Sequence, residues 1–115
     1  MIGRSFNKKN ECGEDAMETK VIENGSEVTI RINGDLDTNT KAEAEAVLVD
    51  AAEKHDSVLL DMSGVNYISS AGIRVLRKTY MTLYKKSGKM KMFGITEGVM
   101  SVLKMTGVDD MIELN

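Results

Sequence analysis

The sequence predicts one small α/β domain, a mixed β-sheet with helices packed against it, in the order β-β-α-β-α-β-α-β. Three features carry that expectation. Two alternating, strand-like stretches, Met17 to Glu23 and Glu27 to Ile32, meet at Asn24-Gly25, a dipeptide favoured in two-residue hairpin turns because it tolerates positive φ. A short run, Val58-Leu59-Leu60, is continuously apolar, as in a strand buried within a parallel sheet. Segments with helical periodicity alternate with further strand-like runs, and strand–helix–strand units need right-handed crossovers between parallel neighbours.

Taken in order, residues 1–16 are polar and lack periodicity, and are expected to form a disordered leader ahead of a domain spanning 17–115. Val28, Ile30 and Ile32 alternate with Thr29 and Arg31, so one face of that strand is buried and the other wet. Gly34-Asp35-Leu36-Asp37 ends the strand. Asp37, Thr38 or Thr40 can cap the next helix, about 39–55, and Thr40 with Glu43 fits a capping box. The stripe Ala44, Val47, Leu48 and Ala51 is narrow and small, which lets this helix lie close to a sheet. After the strand from Ser57 to Met62 and a loop through Gly64, a second helix starts near Ser70. Its residues Ile73, Leu76, Tyr80 and Leu83 recur at helical spacing, and Ser87-Gly88 ends it. A strand from Lys89 to Phe93, a helix from Thr96 to Thr106 closed by Gly107, and a strand from Met111 to Leu114 complete the chain.

Composition narrows the function. The hydrophobic fraction of 42% and charged fraction of 29% are globular values, and 115 residues provide for one core. Aromatic residues make up only 4%, with no Trp, against nine Met, so the core is aliphatic and base stacking is an improbable mode of action. A net charge of -3 offers no attraction to a phosphate backbone, so no nucleic-acid partner is expected. The single cysteine, Cys12, excludes an intrachain disulfide and a thiolate metal cage. No apolar run matches a signal peptide or a membrane span, so the expectation is a cytoplasmic protein without membrane insertion.

No catalytic apparatus stands out. His55, the one histidine, falls at the end of the first helix and reads as a surface residue facing the helix dipole. There is no P-loop, no GxGxxG and no His/Asp/Glu set with metal-ligand spacing, so neither cofactor nor metal is expected, and the protein is read as a non-enzyme. The informative stretch runs from Leu60-Asp61-Met62-Ser63 through Gly64 to Tyr67-Ile68-Ser69-Ser70-Ala71-Gly72, from the carboxyl end of a central strand to the amino end of a helix. Open α/β sheets usually meet ligands and partners at such an end. By spacing alone Ser70 reads as a helix N-cap serving the amide of Gly72 or Ile73, and Asp61 and Ser63 as turn formers.

Three motifs in one order add to this. Asp61-Met62-Ser63, followed by Tyr67-Ile68 and Ser70-Ala71-Gly72, resembles the signature of STAS-domain anti-sigma-factor antagonists. Gly34-Asp35-Leu36-Asp37 resembles the family's strand end before the first helix, and Leu103-Lys104-Met105-Thr106-Gly107 its late helix end. The likeness spans about Met17 to Asn115. It implies a partner-switching protein that binds an anti-sigma factor of the GHKL serine-kinase type, frees a sigma factor, and is turned off when the kinase phosphorylates a serine and back on by a serine phosphatase. Carried onto this chain, the acceptor is Ser70. The partner-binding surface implied is Asp37, Thr38, Asn39, Thr40, Asp61, Ser63, Ser69, Ser70, Gly72, Ile73 and Arg74. The residue before the acceptor, often Asp in the family, is Ser69 here. The alternative the same fold implies is an unphosphorylated scaffold subunit of a lipid-transport or stressosome-like complex, since function belongs to sites rather than folds. A phosphoserine adds about -1.5 to -2 charges, which a helix N-terminus tolerates, so discrimination is expected at the interface rather than by unfolding.

Overall fold

The structure, a computed structural model, describes residues 4–9 and 17–114. The chain runs β1 (Arg4–Lys9), β2 (Glu18–Asn24), β3 (Glu27–Asn33), α1 (Lys41–Lys54), β4 (Ser57–Gly64), α2 (Ser70–Tyr84), β5 (Lys89–Phe93), α3 (Glu97–Met105), α4 (Val108–Met111) and β6 (Glu113–Leu114). All strands join one six-stranded sheet in sequential order. The β1–β2 and β2–β3 pairs are antiparallel. From β3 onward the pairs are parallel, joined by the helical crossovers. This is the mixed α/β sheet the sequence predicts, with one strand added in front and a short helix near the end.

The added strand corrects the expectation of a disordered leader. Arg4–Lys9 pairs with β2 from Arg4↔Glu23 to Lys9↔Glu18, while residues 1–3 and 10–16 lie outside the described residues. The physical reason is the edge of β2, which otherwise presents a row of unpaired amides and carbonyls; pairing there needs backbone, not an apolar face. The hairpin loop is Gly25-Ser26, one residue later than expected, because Asn24 still pairs with Glu27. Only Gly25, at φ 66°, is left-handed, the φ pattern of a II′ turn. At the other end, Met111 belongs to α4, so β6 shortens to Glu113–Leu114.

The alternation in the strands sorts the sheet into two faces. Val28, Ile30 and Ile32 of β3, Val58, Leu60 and Met62 of β4, and Met90 and Met92 of β5 are buried with the inward residues of the helices. Ala44, Leu48, Ala51 and Ala52 give α1 a small-residue buried face, while α2 contributes Ile73, Val75, Leu76 and Leu83. The other sheet face carries the register-paired rows Thr29–Leu59–Lys91 and Arg31–Asp61–Phe93. Leu59 is half-buried there, so β4 is not enclosed on both sides as its apolar run suggested.

His55 is also not a surface residue. It is 7% exposed at the C-cap of α1, with Nδ1 3.1 Å from the Ala51 carbonyl and Nε2 3.6 Å from a Glu23 carboxylate oxygen. An imidazole at a helix end can turn inward where a carbonyl and a carboxylate meet both nitrogens.

Candidate functional site

The candidate residues lie on two loops at the carboxyl ends of β3 and β4, and on the first turns of α2. Backbone hydrogen bonds lock the two loops together: Gly34 N to Gly64 O at 3.0 Å, Leu36 N to Tyr67 O at 3.0 Å, and Ser69 N to Leu36 O at 2.8 Å. Leu36 and Ile68 form an isolated parallel bridge. The two motifs legible in the sequence, Gly34 to Asp37 and Asp61 to Gly72, are therefore one structure.

Gly72 explains how closely α2 approaches this bridge. A Cβ there would stand 2.7 Å from the Leu36 carbonyl oxygen and 2.8 Å from Ile68 Cγ1. Gly72 and Ile73 are buried, which corrects their expected place on the partner-binding surface: they hold the helix against the loop.

The β3–α1 loop is shaped by Asp37 and Thr40. Asp37 Oδ1 accepts from the amides of Asn39 at 2.9 Å and Thr40 at 3.2 Å, an Asx-type turn leading into α1. The Thr40 hydroxyl donates to the Asp35 carbonyl at 2.7 Å and accepts from the Asp37 amide at 3.1 Å. Thr40 is buried, so it too is internal rather than partner-facing. Its hydroxyl is turned back into the loop, so the expected Thr40–Glu43 capping box does not form, and Glu43 Oε2 has no hydrogen-bond partner. Thr38 and Asn39 are exposed, and Asp37 is half-buried beside them.

Asp61 closes the end of β4. Its Oδ1 accepts from the Ser63 amide at 3.0 Å and the Ser63 hydroxyl at 2.7 Å, and its Oδ2 takes the Arg31 guanidinium at 3.1 Å. Burial pushes its carboxyl up, but the Ser63 hydroxyl and amide and the Arg31 guanidinium outweigh it and hold the pKa below the usual carboxylate value. Asp61 is 8% exposed, so it shapes the loop instead of meeting a partner directly. Ser63, beside it, is exposed.

The two adjacent serines separate cleanly. Ser69 is the N-cap of α2: its backbone is extended, and its hydroxyl oxygen accepts from Ala71 N at 3.2 Å and Gly72 N at 3.5 Å. The cap assigned by spacing to Ser70 thus belongs one residue earlier, because the Ser69 amide is already fixed on Leu36. Ser70 is the first residue of α2, exposed, and its hydroxyl makes no hydrogen bond with the described residues. Arg74 follows one turn on, also exposed. Ser69 can do the capping that an Asp would do at this position, without the negative charge.

Three residues outside the partner-binding set expected from the sequence also build the site, Tyr67 of the Tyr67-Ile68 motif among them. Tyr67, 54% exposed, stands on the same loop as Ser70. Arg31 anchors Asp61; its signal was present, since parallel pairing places it in register with Asp61 on the wet side of the sheet. Thr96, at the start of α3, donates to the Val65 carbonyl at 3.1 Å and steadies the loop from the far side. Among the described residues there is no group of three or more His, Cys, Asp or Glu side chains able to hold a metal, and no helix long and apolar enough to cross a membrane.

With this geometry in place, the chain can be set beside known proteins. The family model for the STAS domain matches residues 16–115, and the chain belongs to that family. An anti-sigma-B factor antagonist of Bacillus subtilis (strain 168) is 24% identical over 95 residues, covering 83% of this chain and 87% of the relative. An anti-sigma factor antagonist from Mycobacterium paratuberculosis superposes with a TM-score of 0.78 at 22% identity, covering 89% of this chain and 87% of that one. SpoIIAA, an anti-sigma factor antagonist solved in its unphosphorylated form, gives a TM-score of 0.73 at 15% identity over 84% of this chain and 87% of its own. Its phosphorylated form gives a TM-score of 0.67 at 14% identity, covering 84% and 90%. These structural likenesses establish the fold.

Proposed function

We propose that this protein is an anti-sigma-factor antagonist: it binds an anti-sigma factor of the GHKL serine-kinase type in the cytoplasm, without catalysis of its own, and is switched off by phosphorylation of Ser70 and restored by a serine phosphatase. The observation that carries the reading is the division of labour between Ser69 and Ser70. The neighbour takes the helix cap, so the Ser70 hydroxyl stands exposed and unengaged, available to a kinase without loss of a structural bond. Relatives named anti-sigma-B factor antagonist, and the solution of SpoIIAA in both forms, support it. The docking surface on this reading is the exposed rim around Ser70: Asp37, Thr38 and Asn39 on one loop, Ser63 and Tyr67 on the other, and Arg74 on α2.

A phosphate on Ser70 would add about -1.5 to -2 charges to a rim that already includes Asp37. Negative charge brought against a partner's acidic groups costs several kcal/mol, and each 1.4 kcal/mol is tenfold in affinity. The test is affinity capture from the native cells with wild type, Ser70→Ala and Ser70→Asp as baits, followed by incubation with ATP and mapping of phosphate by mass spectrometry. Wild type and Ser70→Ala should retain a kinase-type anti-sigma factor, Ser70→Asp should lose it, and phosphate should appear on Ser70. Capture of transporter or scaffold subunits instead, with no serine modified, would overturn the proposal.

A further inference from the structure

A phosphate on Ser70 would stand at an end of the sheet where acidic side chains outnumber basic ones and Arg31 is already paired with Asp61. The exposed side chains of Asp35 and Glu97, and half-buried Asp37, lie at this end of the sheet, with Lys41 opening α1. The helix that carries Ser70 is different: SAGIRVLRKTYMTLY contains no acidic residue and three cations, Arg74, Arg77 and Lys78. Two of the three are engaged. Arg77 donates to the Thr106 carbonyl at 2.7 Å, fastening α2 to the end of α3, and Lys78 pairs with Glu45 of α1. Arg74 is exposed and, among the described residues, has no acceptor.

Arg74 lies four residues after Ser70, the spacing at which side chains share one helix face. Long side chains on a helix lean toward its N-terminus, so a guanidinium at this position reaches back over the preceding turn, towards Ser70. Arginine matches a phosphate with two parallel N–H···O bonds, a geometry lysine cannot reproduce.

We propose that Arg74 is the internal receptor of a phosphate on Ser70, holding it along the exposed face of α2. This rests on the reading of Ser70 as the modified residue and adds how the switch works. In the unmodified protein Arg74 is open to an acidic side chain of the partner. In the modified protein it is occupied by the phosphate, so phosphorylation both adds anionic charge and withdraws a cation from the docking rim.

The test installs phosphoserine at position 70 during translation, so no kinase is involved. The second pKa of the phosphate is then followed by 31P NMR at low salt in the otherwise wild-type protein, in Arg74→Gln and in Arg74→Lys. Pairing favours the dianion, so Arg74→Gln should raise that pKa by about 0.2–0.4 of a unit, with Arg74→Lys falling between. The Arg74 side-chain Nε–H resonance should also shift when the phosphate is present. Equal phosphate pKa values in the wild type and Arg74→Gln would overturn the proposal. Because the phosphate is installed, failure of every cellular kinase to modify Ser70 would count against the proposed function alone.

Discussion

The loop pair at the carboxyl ends of β3 and β4 has an inner layer and an outer rim, and the two are built on opposite rules. Inside, Leu36, Thr40, Asp61, Ile68, Gly72 and Ile73 are buried, and their polar atoms are matched: Thr40 to Asp35 and Asp37, Asp61 to Ser63 and Arg31. Outside, Thr38, Ser63, Tyr67, Ser70 and Arg74 face solvent, and neither Ser70 nor Arg74 is tied to a described residue. Buried polar groups must be satisfied or they cost stability, whereas an exposed hydroxyl or guanidinium costs nothing while water serves it. A single sequence motif therefore contains residues that fix shape and residues left open for contact, often one position apart.

The largest expected effect is in the inner layer. In an ordinary helix interior, Gly→Ala gains about 1 kcal/mol. At Gly72 the added Cβ would meet the backbone oxygen of Leu36 at 2.7 Å, and backbone cannot swing away. Gly72→Ala should therefore destabilise by about 2 kcal/mol, the usual range for overpacking, measured by urea unfolding. A stabilised variant would mean that α2 does not press on the Leu36 bridge. Asp61 comes next. Its folded pKa is lowered, so its contribution to stability is present above about pH 4 and lost as pH falls through the folded value. Asp61→Asn should cost about 1.5–3 kcal/mol at neutral pH, as expected for hydrogen bonds involving charged groups, and should flatten this part of the acid limb. Thermal unfolding of both proteins across the acid range checks the sign.

The elements of the fold were legible because period and punctuation agree over most of the chain: Lys89 to Phe93 is the predicted strand without a shift, and α2 starts at the predicted Ser70. The pairing of Arg4–Lys9 along β2 was not legible, because an edge strand needs only backbone partners and the leader has no apolar period to reveal it. The site was legible as a segment but not as layers. Spacing cannot say that Thr40 turns its hydroxyl backwards, that His55 turns inward, or that Gly72 and Ile73 are covered, since each depends on the approach of a second segment or on the local path of the chain. The same limit misplaced the cap. Ser69 and Ser70 are both good N-cap residues, and the choice is made by the hydrogen bond from the Ser69 amide to Leu36, a contact across the bridge.

That choice supports the two smaller predictions. Ser69→Ala removes a cap whose bonds are 3.2 and 3.5 Å long, so the loss should be about 1 kcal/mol, and Ser69→Asp should restore it. Ser70→Ala should cost least: an exposed residue with no described partner changes stability by at most about 0.5 kcal/mol, so its thermal midpoint should match that of the wild type. Its effect belongs to the rim alone. With the Ser70 hydroxyl gone, phosphate transfer from ATP by the captured anti-sigma factor should vanish, while Ser69→Ala should still accept phosphate despite its weakened helix start. The pair of variants separates the layers in one experiment, since one should lose stability and keep modification, and the other should do the reverse. Phosphate mapped to Ser69 in the wild type would invert the assignment: the helix would have to release its cap to be modified, and the switch would then act through the fold as well as through the interface.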